Sequence, residues 1–178
     1  MEPELPEAPT GLVIADARDG DLSAIAEIYA AVVSDSHASF DLEAPGLAEW
    51  RESLAARDPS LGHFLIVAHD EAGAVAGYAK SGLFMAKRAY ATTVQTSVYI
   101  AESSRGRGVG TAVYAMLFER LVSSPARLAV AGLAEPNPAS AALHRSFGFT
   151  PVGTFEGVGV KFGRAWDVTW YQRSLEAR

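Results

Sequence analysis

Between Thr92 and Leu121 the chain reads TTVQTSVYIAESSRGRGVGTAVYAMLFERL. An alternating, strand-like segment gives way to turn-forming residues, then to three glycines and two arginines within Arg105–Gly110, then to a helical pattern. Glycine-rich strand-to-helix turns bind phosphate, because backbone N–H groups at a helix N-terminus converge on an anion and meet the positive end of the dipole. Two common phosphate loops fail on the residues that would touch the ligand. A dinucleotide fingerprint needs its third glycine at Thr111, and Gly110 comes one place early. A Walker A loop needs a lysine before the Ser or Thr, and Gly110-Thr111 offers none. What fits is R-x-x-G-x-G, as Arg105, Gly108 and Gly110, with an ordinary glycine-rich turn as the alternative these six residues leave open.

Other chemistries are restricted by composition. The chain has no cysteine, which excludes disulfides, thiolate zinc sites and a cysteine nucleophile. Its four histidines, His37, His63, His69 and His144, lack close metal-ligand spacing, so no metal is expected. A formal net charge of −6 argues against a general nucleic-acid or membrane-surface binder. No run of about 18 apolar residues is present, so no spanning helix is expected.

The elements that must position the loop follow from periodicity. Leu12–Ala15 reads as a strand, and Asp19 or Asp21 then caps a helix with Leu22, Ile25, Ile28, Tyr29, Val32 and Val33 near a 3.6-residue period. Ser34–Pro45 is a polar loop, and Leu47, Trp50 and Leu54 mark a second helix. FLIVA, the turn HDEAG and AVAGYAK read as a hairpin. In Thr93–Ile100, Val94, Thr96, Val98 and Ile100 share one face, and Gln95, Ser97 and Tyr99 the other. A helix carrying Val113, Met116, Leu117 and Leu121 follows the glycine loop, then a strand over Arg127–Leu133 and a short helix after Asn137. Phe149–Phe155 and Trp166–Tyr171 close the chain as strands. This mixed order predicts an α+β fold with a mostly antiparallel central sheet. The acidic, proline-rich residues 1–11 read as a disordered tail before one domain over 12–178. That start is unlike a signal peptide, which points to the cytoplasm.

Two signatures in order narrow the function. Arg105–Gly110 resembles the pyrophosphate loop of the GNAT N-acetyltransferase superfamily, and EPNPASAALHRSFGF (Glu135–Phe149) resembles its second signature, an Asn, a short helix and an aromatic-Gly-Phe close. AYATTVQTSVYIAESSRGRGVG, NPASAALHRSFGF and GVGVKFGRAWDVTWYQ together are similar to the phosphinothricin acetyltransferase branch, over nearly the whole chain after residue 11. The resemblance implies a GNAT-like fold with helices on both faces of the sheet, acetyl-CoA as co-substrate, and a homodimer. It implies direct transfer to the primary amine of a small amino acid or analogue. Alternatives are a protein N-terminal or lysine acetyltransferase and a non-catalytic acyl-CoA-binding module.

By the same resemblance Val98, Tyr99 and Ile100 pair with the pantetheine arm, and Arg105, Gly106, Arg107, Gly108, Val109, Gly110 and Thr111 hold the pyrophosphate. An N–H of the strand, at Tyr99 or a neighbour, meets the reacting carbonyl. Asn137 bonds the cofactor arm, with Ser146 on the same short helix. His144 stands where the superfamily usually has a tyrosine that protonates the thiolate, and an imidazole with a pKa of about 6.5 can give or take a proton at neutral pH. Lys87, Arg88, Ala89, Tyr90 and Lys161 match segments near the acceptor site, a lysine at 87 being a poorer bidentate clamp than arginine. Gln95 departs from the branch, which normally places a glutamate there. An amide can hold a water or an ammonium group but cannot accept the proton.

Overall fold

The alternation in Thr93–Ile100 forms a strand whose two sides bury into different cores, and the rest of the fold is arranged around it. The computed structural model describes Gly11–Glu176, so the expected tail lies, apart from Gly11, outside the described residues. In chain order the elements are β1 (Val13–Asp16), α1 (Leu22–Asp35), α2 (Leu47–Ala55), β2 (Leu65–His69), β3 (Val75–Leu83), β4 (Thr93–Ile100), α3 (Val109–Val122), β5 (Leu128–Ala134), α4 (Pro138–Ser146), β6 (Thr150–Lys161) and β7 (Arg164–Ser174). One sheet runs β1-β2-β3-β4-β5-β7-β6. Only β4 and β5 pair in parallel; the other pairs are antiparallel, as the mixed element order predicts.

Each face of the sheet carries a helix layer. On one side α3 and α4 pack Val113, Tyr114, Leu117, Phe118 and Ala141 against Ile66, Val94, Ala129 and Ala131. Tyr114 meets Phe118 and Phe147 edge-on at ring distances of 5.1 Å, an orientation that satisfies the ring quadrupoles. On the other side α1 and α2 bring Leu22, Ile25, Tyr29 and Trp50 onto Leu65, Val67 and Tyr78. A fully buried Leu, Ile or Phe contributes about 1.5–3 kcal/mol by leaving water, so both helix layers are held by hydrophobic burial.

Two local expectations change. Asp21 occupies the N-cap of α1, but its side chain bonds no helix N–H; it accepts from the N–H of Arg18 at 2.8 Å and meets His69 Nε2 at 2.8 Å. The closing strands are longer than expected, because Glu156–Lys161 continues β6. Its Gly157 and Gly159 read as loop in sequence, since glycine packs poorly in strands. Here the ladder absorbs them in a register shift between Phe155 and Gly159, and the N–H of Gly157 donates to Asp167 Oδ1 at 2.7 Å.

Candidate active site

The parallel pairing of β4 with β5 runs only from Thr93↔Leu128 to Gln95↔Val130, after which the strands part. The phase of the other ladder decides which backbone groups are left open. Ala101 N–H donates to Ala76 C=O at 2.9 Å. Bonded pairs alternate in an antiparallel ladder, so in this register the groups of Gln95, Ser97 and Tyr99 turn to β3, and those of Val98 and Ile100 turn toward the gap. This narrows the expectation of a donor at Tyr99 or a neighbour to the neighbours. The strand N–H groups that face the opening are those of Val98 and Ile100, Val98 being the nearer to where the strands part, while the Tyr99 ring packs against Tyr29 and Tyr78 on the other face.

The glycine loop sits at the end of this gap. Gly106 and Gly108 adopt φ of 73° and 77°, left-handed values that glycine takes without a Cβ penalty. Gly108 caps α3, whose first free intrahelical acceptor is used only at Ala112 N–H, so the N–H groups of Val109, Gly110 and Thr111 have no helical partner. The gap is a cavity of about 510 Å³ lined by the turn and by Val98, Ile100, Asn137 and His144. Arg105 lines it; Arg107 turns to a different surface hollow, and Ser146 is exposed with its hydroxyl on Leu143 C=O. Asn137 accepts from Ser140 N–H through Oδ1 and so keeps its amide N–H groups for another partner.

His144 is 2% exposed and both ring nitrogens are engaged. Nδ1 lies 2.7 Å from Ser140 C=O, which can only accept, so Nδ1 carries the hydrogen. Nε2 is therefore the acceptor for Tyr114 Oη at 2.9 Å, and Tyr114 Oη accepts from Thr96 Oγ1 at 2.7 Å. Burial lowers the imidazole pKa, against a weaker opposing effect of the Ser140 carbonyl, and keeps the ring neutral. Sequence reasoning missed Thr96, which read only as a strand residue, and Tyr114, which it did not single out.

On the opposite face of the sheet lies a second cavity, of about 850 Å³. Gln95 lines it, and so do Tyr29, Asp41, Arg57 and Lys80. The two cavities share Ala38, Ser97, Tyr99, Gly132 and Ala134, so they meet where β4 and β5 part. One wall is the loop after α1. Lys161 Nζ donates to the carbonyls of Ser36 and Ser39 at 3.0 and 2.7 Å, His37 stacks on Trp166 at 4.0 Å, and Tyr29 donates to Asp41 at 2.6 Å. Lys161 is thereby committed to holding the wall. Lys87, Arg88, Ala89 and Tyr90 are exposed on the β3–β4 connection and do not line the cavity, although Tyr90 packs on Phe84, which touches Trp170.

A helix N-terminus and open strand edges on one side, meeting a polar-walled cavity on the other, define an enzyme that joins an anionic carrier to a second substrate across the sheet. The chain belongs to the GNAT family: residues 14–170 match the Acetyltransferase (GNAT) domain. It is 45% identical to the phosphinothricin N-acetyltransferase of Streptomyces coelicolor, over 87% of this chain and 91% of that one. It is 36% identical to the L-methionine sulfoximine/L-methionine sulfone acetyltransferase of Pseudomonas paraeruginosa, covering 92% and 94%. The structure of a GNAT superfamily phosphinothricin acetyltransferase from Sinorhizobium meliloti in complex with AcCoA superposes with a TM-score of 0.87, at 33% identity over 93% and 89% of the chains.

Proposed function

We propose that this acetyltransferase moves the acetyl group of acetyl-CoA to the primary amine of a small amino acid of the phosphinothricin or methionine sulfone type. The observation that carries the reading is the junction of the two cavities at Ser97, Tyr99 and Gly132, which lets an amine reach a thioester without leaving the protein. The residues fit the carrier: free N–H groups of α3 and the Arg105 side chain suit a pyrophosphate, and the open groups of Val98 and Ile100 suit an arm bearing amides.

Acetyl-CoA supplies the acyl carbon and a thiolate leaving group. The N–H of Val98 is the strand donor available to a carbonyl oxygen in the gap, a type of contact that commonly contributes about 2.7–4 kcal/mol to catalysis. Gln95 holds the amine or a water by hydrogen bonds and leaves the proton to another group. Neutral His144 is that group: with Nε2 as acceptor it takes a proton arriving over Thr96 and Tyr114, and returns it to the thiolate. The test is thiol release with an amine panel including phosphinothricin and methionine sulfone. Tight acetyl-CoA binding with no release on any amine would favour a non-catalytic acyl-CoA-binding module, the reading that Gln95 motivates.

The same reading takes residues 12–178 as one domain in the cytoplasm, and the protein as a homodimer. Among the described residues no helix is long and apolar enough to cross a membrane. Support for the dimer comes from β6, an edge strand whose hairpin leaves Val152, Phe155, Val158, Val160 and Phe162 more than half exposed. Phe155 and Val158 also border the second cavity, so a partner over β6 would close its mouth. Sedimentation showing only an 18.8 kDa species at micromolar concentration would reject it.

A further inference from the structure

Two cations, Arg57 and Lys80, face the second cavity, and among the described residues neither forms an ion pair. Lys80 stands on β3 directly across from Ser97, two pairs along the ladder from Gly82 and Gln95. Its ammonium lies over the rings of Tyr29 and Trp50, at 5.7 and 5.4 Å from their centroids, and among the described residues it has no ion-pair partner. Arg57, just after α2, donates through Nη1 to the carbonyls of Phe64 and Ser81, while its Nε is buried with no hydrogen-bond partner. Among the described residues Asp41 is the one carboxylate bordering the cavity, and it is engaged by the Tyr29 hydroxyl.

Such an arrangement costs stability when empty. Burial, and then the neighbouring Arg57 guanidinium, push the Lys80 ammonium below its ordinary range, with Asp41 opposing. Burial brings Arg57 itself down to about 10. A charged group taken from water without a counter-charge is destabilising, and cations held beside each other add to that cost. Lys161 offsets that cost on the carbonyls of Ser36 and Ser39, and Arg57 does so in part through Nη1 on Phe64 and Ser81, which leaves its buried Nε without a partner. Lys80 lies over ring faces, which orient an ammonium but take none of its three hydrogens, and Asp41 acts on it without forming an ion pair among the described residues.

We infer that Arg57 and Lys80 form an oxyanion-binding subsite that holds a negatively charged group of the acceptor while its amine lies at Gln95 and Ser97. The inference rests on reading this cavity as the acceptor site. It replaces Lys87, Arg88 and Lys161 as the groups that meet the acceptor's charge. Lys80 and Ser97 are a cross-strand pair on the face that opens into the cavity, so the anion is held one ladder step from the point where the two cavities join.

The test compares methionine sulfone with its carboxamide, and with phosphinothricin, whose phosphinate is a second oxyanion. For the wild type, KM is expected to be lower for the acid than for the amide by roughly 10- to 100-fold, the range for hydrogen bonds to a charged group. Lys80→Met and Arg57→Met should each raise KM for the acid, leave kcat within a few-fold, and shrink the acid-to-amide ratio. Lys80→Arg should restore most of it. A larger loss on phosphinothricin than on methionine sulfone places the phosphinate at the subsite; an equal loss places the α-carboxylate there. Binding of the N-acetylated acid and amide, followed by calorimetry, reads the same preference without turnover. An equal affinity for acid and amide in the wild type, or a fall in kcat at Lys80→Met that Arg fails to rescue, overturns the subsite. If acetyl-CoA binds but no amine is acetylated while the product acid still binds through Lys80, the activity is wrong and the subsite stands.

Discussion

Replacing Tyr114 with phenylalanine tests the buried chain that sets the state of His144. The ring stays, so the contacts with Phe118, His144 and Phe147 at 5.1–5.2 Å are retained and only the hydroxyl is lost. Two atoms lose their partner. Thr96 Oγ1 keeps a longer contact of 3.4 Å to Val130 C=O, whereas His144 Nε2 has no other protein donor among the described residues. One orphaned buried acceptor costs about 1–3 kcal/mol. At about 2–4 °C per kcal/mol for a chain of this size, the melting temperature should fall by about 2–12 °C. The acid limb should change as well. Because burial lowers the folded pKa of His144, the unfolded chain binds the extra proton first as pH falls below about 6.5. Stability is therefore present above that pH and lost from about 6.5 downward, until the folded imidazole also protonates. The Tyr114 hydroxyl favours the neutral ring by donating to Nε2, so Tyr114→Phe should bring the folded pKa back toward its ordinary value and make the loss shallower. Thermal unfolding of both proteins between pH 5 and 8 measures this. A melting temperature within 1 °C of wild type, with the same acid limb, would refute the assignment of Nε2 as the acceptor.

Gly108→Asp puts a carboxylate at the N-cap of α3, where aspartate tolerates the left-handed φ and suits the helix dipole; the fold should persist while acetyl-CoA affinity, by calorimetry, drops at least tenfold. Gln95→Glu supplies an ionisable group in the second cavity, near its junction with the first; turnover near neutral pH should rise about tenfold, the low end of general-base effects, with a new acid-limb pKa in the rate profile. A fall in rate with unchanged acetyl-CoA affinity would show that the amide suits its own acceptor. A Cβ at Gly159 would overlap the ring of Phe40, which lines the acceptor cavity, so Gly159→Ala should raise KM for the amine and leave acetyl-CoA binding intact; overpacking of this kind costs about 1–3 kcal/mol, visible in the melting curve.

Much of this protein is written locally. The alternation of Thr93–Ile100, the 3.6-residue period of α1 and α3, and the glycines of Arg105–Gly110 each act within a few residues, so the strand, the helices and the anion-binding turn were legible without coordinates. Gln95 was likewise placed on the polar face of β4, and that face is where the second cavity opens. The limits of β6 were not legible, because Gly157 and Gly159 are tolerated only through a bulge and through the ring of Phe40 above them.

What the tertiary structure decided were relations between segments distant in sequence. Nothing in either strand marks the point after Gln95 where β4 and β5 part, since that depends on how β5 is held by β7. The choice of Val98 over Tyr99 as the donor into the gap depends on the hydrogen-bonding phase of β3 with β4, and shifting a ladder by one residue would exchange the two. Lys161 reads as an acceptor-site cation until its ammonium is found on the carbonyls of Ser36 and Ser39, more than a hundred residues away in sequence. Arg57 and Lys80 read as ordinary charges at a helix end and in a hairpin; they become a pair facing one cavity only when α2 packs over β3. Local residue chemistry chose the elements and the cofactor turn. Long-range register and packing, which no short window of sequence encodes, chose which backbone donor and which cations face the two cavities.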